Sequence, residues 1–135
     1  MSTLISYQSF DFSAVHTLRR LDWSEEQNVA EFGPCCNPSG HGHNFQLTVG
    51  FSYDPNEAEY GRGFVYKTLD RYIQTHLDMK SLNDYLRGYM YELATCENVV
   101  FKLKEDLEPV FRQKGIELKA LQLQETRNNF VYIRL

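Results

Sequence analysis

Residues 43–53, HNFQLTVGFSY, alternate His43, Phe45, Leu47, Val49 and Phe51 with polar or small partners. A period of two puts every second side chain on one face of an extended chain, so this stretch predicts a half-buried β-strand. Upstream, residues 8–16, QSFDFSAVH, repeat the pattern with Phe10, Phe12, Ala14 and His16. His16 ends the apolar face of the first strand and His43 begins that of the second, so antiparallel pairing would bring the two histidines to one end of a sheet.

Working outward, residues 17–42 contain DWSEEQN and GPCCNPSGHG, which carry turn formers and no sustained period, and predict a long structured loop. In residues 66–77, YKTLDRYIQTHL, the spacing of Leu69, Tyr72, Ile73 and Leu77 predicts a helix, with Thr68 or a neighbour as its cap. A second helix fits residues 96–115, CENVVFKLKEDLEPVFRQKG, where Val99, Leu103, Leu107 and Val110 form a stripe, Pro109 should kink or shorten the end, and Gly115 stops it. Residues 116–126, IELKALQLQET, and 129–135, NFVYIRL, predict two further strands joined by the polar turn TRNN. The order ββααββ predicts an α+β domain: a four-stranded antiparallel sheet with two helices on one face. With 135 residues, 42% of them hydrophobic, and no repeat or linker, a single domain over 1–135 is expected.

Fourteen Lys and Arg stand against 18 Asp and Glu, scattered rather than clustered, which argues against nucleic acid as a partner. The start, MSTLISYQSFDF, lacks a basic region followed by an apolar run, and no segment approaches the ~20 apolar residues that span a bilayer; no membrane partner is expected, and a cytoplasmic protein is. Of three cysteines, Cys35 and Cys36 are neighbours whose mutual disulfide would be strained, so reduced thiols are expected.

The chemistry-bearing stretch is GHGHN, residues 40–44. His41 and His43 would point to the same side of an extended segment, and His16 would complete a set of three imidazoles, which leaves a fourth position open on a tetrahedral ion as catalytic zinc sites do. From spacing alone a second reading stands beside it: a glycine-loosened turn with exposed histidines and His16 as a satisfied strand-end residue. Glu125 continues the alternation of Leu121 and Leu123, which places a carboxylate on an apolar face where it needs a partner. Thr95 followed by Glu97 is ordinary capping chemistry at a helix start.

Taken in order, FSAVH, FGPCCNPSGHGHNF, LDMKSLND, TCENV and LQETRNNFVYI resemble the 6-pyruvoyl-tetrahydropterin synthase family, which includes the 6-carboxytetrahydropterin synthases. The resemblance implies the tunnelling fold, a sheet-and-helix subunit that forms trimers and stacked hexamers with active sites between subunits. It implies zinc bound by His16, His41 and His43, and a small-molecule pterin substrate, 7,8-dihydroneopterin triphosphate, from which triphosphate is eliminated to give 6-pyruvoyl-tetrahydropterin. Zinc would act as a Lewis acid on the substrate's side-chain hydroxyls, and a cysteine before the HGH motif would take the carbon-bound proton. Cys35, six positions before His41, fits that base in the longer-spacer form of the family, while Cys36 falls where the pattern has asparagine. A nearby cation would lower the pKa of Cys35. Glu125 matches the pterin anchor, Thr95 and Glu97 match residues near the substrate, and Cys96 stands where a second threonine or serine is common. Asp78 matches the aspartate of a proton relay whose histidine is replaced here by Met79. His76 lies close in sequence as a spare imidazole, read as an exposed helix residue, and Lys67 stands where Asp or Asn is usual. The same resemblance leaves 6-carboxytetrahydropterin synthesis, pterin side-chain cleavage and a catalytically impaired pterin-binding paralogue as alternatives.

Overall fold

The computed structural model describes residues 4–56 and 61–135. Two long strands open the chain in antiparallel register, β1 (Ser6–His16) against β2 (His41–Ser52), with His16 opposite His41 and Ala14 opposite His43. Their alternation has the predicted consequence. Phe12, Ala14, Phe45, Leu47, Val49 and Phe51 are buried, while Tyr7, Asp11 and Val15 face out. Each fully buried Phe contributes roughly 1.5–3 kcal/mol relative to exposure, which makes the register costly to slip.

β4 (Glu117–Thr126) pairs antiparallel with β2, and β5 (Asn129–Arg134) with β4. The core is closed on one face by α2 (Arg62–His76), through Val65, Leu69 and Ile73, and by α4 (Cys96–Arg112), through Val99, Leu103, Leu107 and Phe111. This is the expected α+β arrangement with helices on one face.

Several expectations need correction. The sheet has five strands, not four, in the order β3-β1-β2-β4-β5, and it is mixed: β3 (Lys80–Ser81) runs parallel to β1 at Ala14 and Val15. A two-residue strand carries no period, so no pattern marked it. The element order is therefore richer than ββααββ. The long structured loop expected over residues 17–42 holds a helix, α1 (Glu25–Phe32), and a 3₁₀ turn (Gly33–Cys36), and α3 (Leu82–Tyr85) follows β3. α1 starts at a capping box, Ser24 accepting from the Gln27 backbone and Gln27 from that of Ser24; SEEQ is the sequence signature of that box. α2 starts at Arg62 with Gly61 as its cap, so Thr68 lies inside the helix. α4 ends at Arg112, three residues past Pro109, and Val110 is 39% exposed while Phe111 takes its place in the core.

Candidate metal centre

β1 and β2 carry the three histidines to a common point because register and alternation agree. The rings of His16 and His41 lie 4.8 Å apart between centroids, His41 and His43 4.6 Å, and His16 and His43 5.5 Å. Gly40, just before His41, makes the approach possible. It adopts φ +74°, and a Cβ there would stand 3.0 Å from the His16 carbonyl oxygen. GHGH is thus the start of a strand, which overturns the reading of it as a loosened turn with exposed histidines.

Glu125 joins the histidines from β4. Gln124 and Thr126 pair with Phe130 and Asn129, neighbours on β5, so Glu125 is the extra residue of a β-bulge with no partner across the ladder. Bulges re-aim side chains. Here the carboxylate Oε1 lies 3.0 Å from Nε2 of His16 and 3.0 Å from Nε2 of His43, and its Oε2 accepts from the Cys96 thiol at 3.8 Å. Ligand atoms of His16, His41, His43 and Glu125 all lie within 4.8 Å of one another.

The donor set fits a transition metal on a direct observation. His41 Nδ1 and His43 Nε2 are buried without a hydrogen-bond partner; the His43 contact with Glu125 is close but not aligned for one. A buried polar atom left unpaired costs about 1–3 kcal/mol, and a cation among the rings would satisfy both. His16, 2% exposed, is oriented from behind: its Nδ1 donates to the Ala94 carbonyl at 2.8 Å, which turns Nε2 toward the cluster, the arrangement that fixes metal-binding imidazoles. Three imidazoles suit zinc and leave one position on the ion open, with the Glu125 carboxylate beside it.

The electrostatics follow from this packing. Burial works to lower the His16 pKa, but the hydrogen bonds to Glu125 and Ala94 and the Glu125 charge leave it raised. Burial and the neighbouring His16 and His43 lower that of His41. The hydrogen bond from His16 holds the Glu125 carboxyl below its usual range, against burial and with help from the charges of the three histidines.

Of the other predicted residues, Thr95, Glu97 and Glu125 line one cavity with His16 and Cys96, about 320 Å³ in volume and walled also by Asn128, Asn129 and Phe130. Thr95 is the N-cap of α4, its hydroxyl accepting from Asn98 N at 3.2 Å, and Glu97 lies exposed in the first turn. Cys35 is half-buried on the 3₁₀ turn, Cys36 is 4% exposed, and both are free thiols. Burial pushes the Cys35 thiol up, with Glu125 and Cys36 adding to the rise, so the protein groups alone do not supply the lowered pKa expected of it. Asp78 stands apart from Cys35 in its contacts: its Oδ1 accepts from Ser13 N at 2.9 Å on β1. Met79, 81% exposed, has φ +59° and shares a cavity of about 340 Å³ with His43 and Asn44. His76 packs its ring against Tyr72, centroids 4.6 Å apart, and lines a second cavity together with Met79, Lys102 and Tyr85. The backbone carbonyl of Ala94 is the site group the sequence did not mark, and Cys96, noted only as a departure at its position, proves to donate to Glu125.

A family model for 6-pyruvoyl tetrahydropterin synthase matches residues 5–135. The 6-pyruvoyl tetrahydrobiopterin synthases of Pongo abelii and Homo sapiens are 33% and 32% identical to this chain over 126 residues, each covering 89% of it and 83% of the relative. The solved structure of the Caenorhabditis elegans 6-pyruvoyl tetrahydropterin synthase superposes with a TM-score of 0.82 at 25% identity, over 100% of this chain and 97% of that one. An uncharacterized protein from Wolinella succinogenes shares the fold at a TM-score of 0.71 and 12% identity, over 99% of each chain. The chain belongs to the 6-pyruvoyl tetrahydropterin synthase family of enzymes.

Proposed function

We propose that this protein is a zinc-dependent lyase that eliminates triphosphate from 7,8-dihydroneopterin triphosphate to give 6-pyruvoyl-tetrahydropterin. The observation that carries it is the convergence of His16, His41 and His43, two of them with buried unpartnered nitrogens, with His16 lining a cavity of small-molecule size. Zinc held by these imidazoles would supply Lewis-acid activation of the substrate's side-chain hydroxyls and a charge that favours a nearby thiolate.

The chain's own residues account for the rest. The Ala94 carbonyl and the β1–β2 register fix the imidazoles before substrate arrives. Glu97 and Glu125 offer carboxylates to the donor-rich edge of a pterin ring, and charge-assisted hydrogen bonds of that kind orient as well as bind. Cys35, the more accessible of the adjacent thiols, takes the carbon-bound proton. Asp78 is the remaining member of the relay, and Met79 cannot carry its proton, which favours slow turnover as a second reading.

The experiment is product analysis with 7,8-dihydroneopterin triphosphate, paired with metal content. Expected are about one zinc per chain, lost in the variant His41→Ala with His43→Ala, together with triphosphate release and a pyruvoyl product. A carboxylated pterin or a released aldehyde would move the assignment to 6-carboxytetrahydropterin synthesis or side-chain cleavage. Tight pterin binding with no release of triphosphate would leave an impaired paralogue, and unchanged metal in the double variant would sink the site.

A further inference from the structure

Strand pairing on the outer edge of β1 ends before the strand does. β3 covers Ala14 and Val15, and nothing strand-like follows it. At Thr17 the Asn83 side chain from α3 takes over: its Oδ1 accepts from Thr17 N at 2.9 Å and its Nδ2 donates to Thr17 O at 3.0 Å. An amide offers the donor and acceptor that a paired strand residue would, so the backbone one step past His16 is held on both of its polar groups.

With its backbone fixed, Thr17 directs its hydroxyl at the turn that carries Cys35. The oxygen lies 2.5 Å from the Asn37 carbonyl and 3.3 Å from that of Cys35, and since a hydroxyl has one hydrogen the shorter contact is the bond. Leu18 N donates to the Cys35 carbonyl at 2.7 Å, and the Asn37 carbonyl also accepts from Gly40 N at 2.8 Å. Thr17 therefore meets the 3₁₀ turn where the chain bends back toward His41. The same segment grips β1 a second time, because Asp78 accepts from Ser13 N and Met79 N donates to Ser13 O at 2.6 Å.

We propose that Asn83 and Thr17 are positioning residues that fix the Cys35 thiol relative to the histidine cluster, through the path Asn83 to Thr17 to the Cys35–Asn37 turn. The assignment rests on Cys35 being the base. Its logic is geometric: His16 is held on its own by the Ala94 carbonyl, and Thr17, the next residue, ties the thiol turn to that fixed point, so the clasp sets the thiol against a metal side already in place; misplacement of a reacting group by about 1 Å can cost on the order of 10²-fold in rate.

The test uses the full-length zinc-loaded protein with Thr17→Val, which removes only the hydroxyl, Asn83→Asp, which removes the donor half of the amide, and Thr17→Ser as the conservative variant. Two quantities are read: the rate of Cys35 alkylation by iodoacetamide, followed on the Cys35 peptide by mass spectrometry, and the split of kcat and KM. Expected are a several-fold change in alkylation rate and a fall in kcat of ten-fold or more for Thr17→Val and Asn83→Asp, with KM within about two-fold, zinc content unchanged, and Thr17→Ser restoring both. Wild-type alkylation and kcat in both variants overturn the proposal, as does a parallel loss of zinc, which marks a merely structural role. Should Asn83→Asp fail to fold, Thr17→Val, which keeps both backbone bonds of the clasp, decides alone. If the wild-type protein does not turn over, the lyase assignment fails by itself, and the alkylation rates still report whether the clasp places the thiol.

Discussion

Gly40 and Gly42 flank His41 in the same motif, yet their surroundings differ. Gly40 combines φ +74° with a carbonyl 3.0 Å from any added Cβ, whereas a Cβ at Gly42 would meet Val15 at 3.5 Å, an ordinary contact. Gly40→Ala is expected to cost at least about 1–2 kcal/mol and to weaken zinc retention, while Gly42→Ala stays within about 0.5 kcal/mol of wild type. Thermal melts and release of zinc to a colorimetric chelator check both, and equal effects would contradict the difference. Met79 is the one non-glycine residue with positive φ among those described. Histidine tolerates that conformation better than methionine, so Met79→His should fold at least as well and raise triphosphate release ten-fold or more, within the ~10²–10⁴-fold that acid–base partners provide. Release unchanged in Met79→His but lost in His76→Ala would transfer the role to His76. At this scale the sequence was readable where a period of two governed the outcome, as for His16, His41 and His43. It was silent on Asn83 and Ala94, whose roles depend on partners 66 and 78 positions away.

Helices α2, α3 and α4 are joined by one polar cluster. Tyr72 donates to Asp106 at 2.6 Å, and since its single proton is committed there, the 2.5 Å contact with Tyr85 has Tyr85 as donor. Lys102 completes the cluster, 2.9 Å from Asp106 and 4.8 Å above the Tyr85 ring. Tyr72→Phe would strand the Tyr85 hydroxyl and is expected to cost about 1–3 kcal/mol, whereas Tyr85→Phe removes a bond without orphaning a donor and should cost about 0.5–1.5 kcal/mol. Burial, more than any neighbour, raises the pKa of both tyrosines above the usual phenol value. A folded pKa above the unfolded one gives stability that is complete below about pH 10 and is lost as pH rises beyond it. The phenolate absorbance of these two tyrosines, taken as the difference between wild type and the Tyr72→Phe and Tyr85→Phe variants, should therefore appear together with loss of helical circular dichroism. Ionisation of this pair in a still-folded protein would refute the cluster's role. The amphipathic helices α2 and α4 were legible from their 3.6 period, although Gly61 as a cap was not, because it makes no side-chain bond. α1, expected as part of a loop, had only its capping box to mark it, and β3 and α3 were too short to carry any period.

The whole molecule has two unlike sheet edges, a two-residue parallel strand at one side and β5 at the other, with Phe130 58% and Tyr132 51% exposed on β5. An open edge with apolar side chains favours association, and we expect a trimer or hexamer of the 15.9 kDa chain at micromolar concentration. Sedimentation as a clean monomer would contradict that expectation and with it the idea of sites shared between subunits. The four long strands and the helix-covered face were legible because each follows one uniform period; the mixed topology was not, since parallel β3 depends on where a turn lands rather than on any pattern of its own. The bulge at Glu125 has a further consequence. A residue that opposes nothing across the ladder can change without breaking a rung, so the acidic group and the architecture are separately adjustable. Glu125→Gln should leave a soundly folded protein that binds a pterin less tightly, which makes this position the natural place to retune recognition while the scaffold stays as it is.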